Sequence, residues 1–271
     1  MAAAEMSDLE KEIMDYSMRG VLPPSGRAPI VLIMWGGIGA GKTTASPRVL
    51  AKLGMDRAQM VVIDVDELVQ KVPEFQQAKG TEQQKVAYMK YRNYAKKIQK
   101  QVALTALEKG LDVYVEWTNE GNLHALGKGE SDVFQQAALV AKRYTVAVCL
   151  VECRDVEGIL AVVKEREKED GRHIPESVIR EFNTNRALHW FNALLQLEKR
   201  PMQTRAFVQT RMSARYCGSL GMMELTGGVR QLVASCGGGK LDAAFPDEDA
   251  AQAAINRLRK RKEDAECCWC S

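Results

Sequence analysis

Five short apolar runs punctuate this chain, each bounded by charged or turn-forming residues: 29–35 "PIVLIMW", 60–66 "MVVIDVD", 111–118 "LDVYVEWT", 144–152 "YTVAVCLVE" and 204–212 "TRAFVQTRM". Runs of this length, rich in Val and Ile, predict strands buried in a sheet. Between them apolar residues recur at three- and four-residue steps, which predicts helices over 42–53, 81–109, 132–143, 156–169 and 176–199, the last with room for a break. In 81–109 the stripe is Val86, Met89, Tyr94, Ile98, Val102 and Ala106, and Lys109-Gly110 supplies a basic last turn and a stop. A shorter helix is predicted at 5–19 on Ile13, Met14 and Met18, ended by the prolines of "VLPPSGRAP". Strands alternating with helices predict an α/β fold, a parallel sheet with helices on both faces.

Past about residue 215 the periodicity weakens in "GSLGMMELTGGVRQLVASCGGGK". The chain therefore divides into an N-terminal helix and linker (1–28), an α/β body (29–214) and a C-terminal appendage outside the sheet (215–271).

Composition excludes more than it selects. Of 271 residues 46% are hydrophobic and 27% charged, an ordinary balance for a globular protein, and a net charge of +3 does not imply a nucleic-acid partner. No apolar run approaches the roughly 18 residues of a membrane span. The start "MAAAEMSDLEKEIMDYSMRG" has no apolar core of a secretory signal, and seven cysteines, an odd number, fit reduced thiols in the cytoplasm. Cys149 and Cys153 read as small buried hydrophobes. His124, His173 and His189 show no metal-ligand spacing. Tyr88, Tyr91 and Tyr94 among Lys90, Arg92, Lys96 and Lys97 read as a packed helix face with solvated lysines, not as a nucleic-acid surface.

Chemistry enters directly after the first strand. Gly36-Gly37-Ile38-Gly39-Ala40-Gly41-Lys42-Thr43 matches G-x-x-x-x-G-K-S/T at every required position and opens a predicted helix. Glycines let successive backbone N–H groups converge on an anion, and the helix start adds its positive end. Residues 36–44, through Thr44, are therefore the expected ATP-binding loop, with Lys42 on the β- and γ-phosphates and the Thr43 hydroxyl on Mg²⁺. A GTPase would carry Asn-Lys-x-Asp, and no Asn-Lys pair occurs here. Asp66-Glu67 ends "VVIDVDE" about twenty residues after Lys42, too early for the second signature of motor-type ATPases. An acid there suits a kinase, where it can deprotonate an acceptor hydroxyl during in-line transfer. In the third strand Tyr114, Glu116 and Thr118 share one face and Val113, Val115 and Trp117 the other, so Glu116 and Thr118 meet one ligand space at the strand's C-terminal end.

Taken in order, "GGIGAGKTT", "VVIDVDELVQKVP", "VYVEWT" and "REKEDGRHIPES" resemble the zeta-toxin family of P-loop kinases over about residues 29–210. The resemblance implies ATP and Mg²⁺ as cofactors and phosphorylation of a sugar nucleotide, UDP-N-acetylglucosamine. It implies Asp66 as catalytic base, Asp64 as the acid before it, and Glu116 and Thr118 as substrate contacts. Arg172 in "GRHIP" would reach the γ-phosphate, with Arg166 as its partner. Val72 precedes Pro73 where the family has histidine, and Trp117 stands where it has glycine.

Two further readings stay open: a P-loop kinase for a nucleoside, polynucleotide or other hydroxyl, and a nucleotide-binding regulatory protein without transferase activity. An antitoxin-like or regulatory partner is unspecified by the residues. The tail "NRLRKRKEDAECCWCS" sets Cys267, Cys268 and Cys270 beside a basic helix, a pattern that suits reversible lipidation and peripheral membrane contact.

Overall fold

The computed structural model describes residues 7–118, 144–153, 155–170, 174–184, 203–211 and 223–225. The helix predicted at 132–143, the second half of 176–199 and the cysteine tail lie outside these residues.

The apolar runs form strands β1 (Ile30–Gly36), β2 (Val61–Ile63), β3 (Val113–Trp117), β4 (Thr145–Cys153) and β5 (Gln203–Arg211). They lie parallel in the order β2-β3-β1-β4-β5, and a sixth strand, β6 (Met223–Leu225), adds antiparallel to β5. This corrects the expectation that nothing past 215 joins the sheet. Three residues are too few to show a period, and β6 is specified by its pairing with β5 and by the Arg205–Glu224 ion pair at 2.7 Å.

All seven residues of β1 are buried, because helices cover both faces of the sheet. One face carries Val31, Ile33 and Trp35 with Val113, Val115 and Trp117, covered by α1 (Asp8–Met18), α3 (Val65–Val69), α4 (Pro73–Ala78) and α5 (Gln84–Glu108). The other carries Leu32, Met34 and Tyr114, covered by α2 (Lys42–Leu53), α6 (Val156–Asp170) and α7 (Glu176–Thr184). Trp117 fills core as its alternation requires, packed edge-on against Trp35 with centroids 6.0 Å apart. Cys149 and Cys153 are buried in the second core.

α1 begins one residue after Ser7, whose side chain and Glu10 cap each other's backbone amides, and buries Ile13 beneath α5. In α5 the observed inward stripe is Tyr88, Ala95, Ile98, Val102 and Ala106, whereas Val86 and Met89 are exposed. Both were expected inside. The stripe is in phase with Tyr88, which has α3 and α4 beneath it, so Val86 and Met89 turn outward. Among the described residues no helix is long and apolar enough to cross a membrane.

Candidate active site

The strand order reverses at β1, so the loop after β1 opens at the C-terminal edge of the sheet, where open α/β sheets hold their ligands. Gly41 begins α2 with φ 92° and no side-chain cap. L-residues disfavour that backbone, and glycine leaves the first-turn amides of α2 facing the loop. Lys42 folds over it, its Nζ donating to the carbonyls of Gly36 and Gly37 at 3.1 Å each. Ala40 closes the turn on Gly37, Ile38 packs half-buried on the second core, and Thr43 and Thr44 are exposed. Pro47 in α2 has no N–H for the Thr43 carbonyl, and the Ser46 hydroxyl donates to it instead at 3.1 Å.

The acids converge on this loop from β2 and β3. β2 stops at Ile63, three residues short of the expected strand, because Asp64 caps α3 by accepting from the Asp66 amide at 2.8 Å. The helix cap is thus Asp64, and Asp66, in the first turn, is left to other contacts: its Oδ1 accepts from the Tyr88 hydroxyl at 2.5 Å. Glu116 reaches the loop itself. Its Oε1 accepts from the Thr43 hydroxyl at 3.1 Å and from the Tyr114 hydroxyl at 2.7 Å. Burial, then the charges of Asp66 and Glu116, push the Asp64 carboxyl up to about 6. Burial and Glu116 likewise push the Tyr114 phenol up, which keeps it a donor. Arg57 lies over the Tyr114 ring, 4.9 Å from its centroid, and ion-pairs with Glu67. Thr118 is half-buried just past β3.

Arg166 is exposed on α6. It follows Ile159 and Val163 at helical steps of four and three, and those two residues pack against Gly39 of the loop. The adjacent Glu167 pairs with Lys85 of α5 at 3.7 Å, so the start of α5 meets the end of α6. Arg172 lies outside the described residues.

Three contributors went unread in the sequence. Tyr88 was read only as packing, although a buried phenol needs a partner and so signals a polar contact. Tyr114 was placed on the correct face without its bond to Glu116. Asn183, a polar residue four after Ile179 in the buried stripe of α7, holds the loop carbonyl of Ile38 at 3.1 Å.

The donor set suits a nucleotide with a hard cation. An uncapped helix start faces the loop, Lys42 is already inside it, and Thr43 with Glu116 offers oxygen ligands. Among the described residues no three His, Cys, Asp or Glu side chains share a metal position, so such a cation would depend on phosphate oxygens and water, as Mg²⁺ commonly does.

Sheet order and loop together define a P-loop protein of kinase-like fold. The family model for zeta toxin matches residues 17–198, and the chain belongs to that family. The fold is shared with a structure from the PezAT chromosomal toxin–antitoxin system of Streptococcus pneumoniae, at TM-score 0.52 and 18% identity over 96% of this chain and 98% of that one. It is shared also with AvrRxo1-ORF1:AvrRxo1-ORF2 solved with sulphate ions (TM-score 0.55, 14% identity, 92% of this chain and 84% of that one). The same complex with ATP gives TM-score 0.52 and 14% identity over 74% of this chain and 62% of that one. A comparison with curated proteins found no sequence match.

Proposed function

We propose that this protein transfers the γ-phosphoryl group of ATP to a hydroxyl of a polyhydroxylated small molecule, with a sugar nucleotide such as UDP-N-acetylglucosamine as the favoured acceptor. One observation carries the reading: the β3 acid Glu116 is bonded to Thr43 of the phosphate loop, and the Asp64 carboxyl feels both Asp66 and Glu116. Three carboxylates and the loop therefore share one end of the sheet, which supports a base and an acceptor site beside the nucleotide.

In this reading Lys42 leaves the Gly36 and Gly37 carbonyls for the β- and γ-phosphate oxygens. Thr43 holds Mg²⁺, which when bound neutralises phosphate charge. The acceptor oxygen bonds to the γ-phosphorus as the bond to the β–γ bridging oxygen breaks, ADP departs, and Asp66 takes the hydroxyl proton. Glu116 and Thr118 orient acceptor hydroxyls, and Arg166 and Arg172 face the charge that develops on the transferred group. The likeness to a structure from a toxin–antitoxin system and to one solved as an ORF1:ORF2 complex supports an antitoxin-like partner protein. A cytoplasmic setting, with membrane contact through the cysteine tail, belongs to the same proposal.

The test is transfer from labelled ATP with Mg²⁺ to a panel of sugar nucleotides, nucleosides and oligonucleotide ends. The expected result is one labelled class with the native protein and none with Lys42→Ala of unchanged circular dichroism. Native turnover in Lys42→Ala would remove the kinase reading.

A further inference from the structure

The loop between β1 and α2 is held from outside by a residue 145 positions further along the chain. Asn183, on α7, is only 1% exposed. Its Nδ2 donates to the Ile179 carbonyl of its own helix at 2.8 Å and to the Ile38 carbonyl of the loop at 3.1 Å. Gly37 lies so close that a Cβ there would come 2.1 Å from the Asn183 Oδ1, and that contact requires glycine. Ile38, Ile159, Val163 and Ile179 surround the junction, all in the same apolar core.

An apolar side chain would fill such a position more cheaply, since burying an amide costs free energy unless it is bonded. The amide does what packing does not. A loop that turns its N–H groups inward to an anion must turn carbonyls outward, and each outward carbonyl buried under a helix needs a donor. Asn183 supplies that donor for Ile38, in the middle of the loop. Lys42 supplies it for Gly36, and shares Gly37 with the Ala40 amide. The two ties differ in permanence, because Lys42 must swing to a phosphate when nucleotide arrives, while Asn183 is anchored in a helix. That helix is in turn paired to α6, which carries Arg166, through Arg180 and Glu157 at 2.6 Å.

We propose that Asn183 is a positioning residue for nucleotide binding: it fixes the Ile38 peptide so that the loop stays open to phosphate, and it registers the α6–α7 pair on that loop. The proposal rests on the reading of this loop as the nucleotide site.

Asn183→Ser separates the two bonds, since a serine hydroxyl can still reach the carbonyl one turn back in its own helix but is too short for Ile38. Asn183→Leu, close in shape and uncharged, removes the donor without burying a charge and serves if the serine variant folds poorly. Hydrogen exchange read on peptides covering 36–43 and 176–184, and MgATP affinity by calorimetry, are the measurements. The expected result is faster exchange in 36–43 of the nucleotide-free variant, with 176–184 near native, and MgATP affinity weaker by about 3- to 10-fold. Exchange that rises only in 176–184, with native MgATP affinity, would make Asn183 a packing residue and overturn the proposal. A native protein that binds no MgATP would overturn the nucleotide reading and this proposal together. Native binding lost in Lys42→Ala but intact in Asn183→Ser would overturn this proposal alone.

Discussion

Thr43 donates its hydroxyl to the Oε1 of Glu116 across 3.1 Å, joining the first turn of the helix after the phosphate loop to the strand beside it. The two residues are 73 positions apart in the chain, and the contact exists because β3 lies directly against β1, with Met34 opposite Glu116 in the register.

Glu116 should therefore matter more than its neighbour on the same face. Glu116→Gln keeps an acceptor for Tyr114 but loses the charge beside Thr43. It should cut phosphoryl transfer about tenfold or more, against about threefold for Thr118→Val, because a bond to an ionised group is worth more than one to a neutral hydroxyl. ATP affinity should stay within a few fold in both. Equal effects of the two substitutions on steady-state transfer would show that the carboxylate charge is not used.

The bond from Tyr88 to Asp66 gives a second expectation. Asp66→Asn should lower transfer by about 10²–10⁴ while leaving ATP affinity nearly unchanged. Tyr88→Phe keeps the ring against Phe75, whose centroid is 6.3 Å away, and loses only the hydroxyl. Transfer should then fall about tenfold through a less well oriented carboxylate. The check is a double-mutant cycle: Tyr88→Phe should add little once Asp66 is already Asn. Full additivity would mean that the phenol acts elsewhere.

Asp64 makes stability depend on pH. Its folded carboxyl, pushed up to about 6, lies above the unfolded value of about 3.9. A raised folded value means that its contribution is fully present below about pH 4 and is lost as pH rises through about 6. Asparagine caps a helix as well as aspartate does. Asp64→Asn should thus match the native protein near pH 4 and exceed it at pH 8 by about 1–3 kcal/mol, a rise of several degrees in Tm. A Tm difference that does not change between pH 4 and pH 8 would show that burial does not strain this carboxylate.

The sequence alone was sufficient wherever one short segment carries the physics. The phosphate loop was legible because its geometry is local: a strand, glycines that permit the turn, and a helix start that needs no distant partner. The five parallel strands were legible because burial on both faces writes continuous apolar runs. The alternation in β3 placed Glu116 on one face and Trp117 in the core for the same reason. Helix α2 ended at Gly54 as expected, since a glycine at φ 66° is a local stop.

What only the tertiary structure decided are pairings between segments distant in the chain. Sequence periodicity gives each helix a stripe but not its neighbour, so Val86 and Met89 were read as inward and Tyr88 as mere packing until α3 set the phase of α5. β6 is too short to have a period and exists through its ladder with β5. Asp64 took the cap, and Asp66 was left for Tyr88, because the turn into α3 begins at Asp64 while β3 still runs two residues past the Ile63–Val115 pair. Asn183 closes on Ile38 through a fold in which α7 returns to the loop that opened the sheet. The polar contacts among these join groups far apart in the chain, and a linear pattern of apolar residues carries no record of which buried donor will find which acceptor.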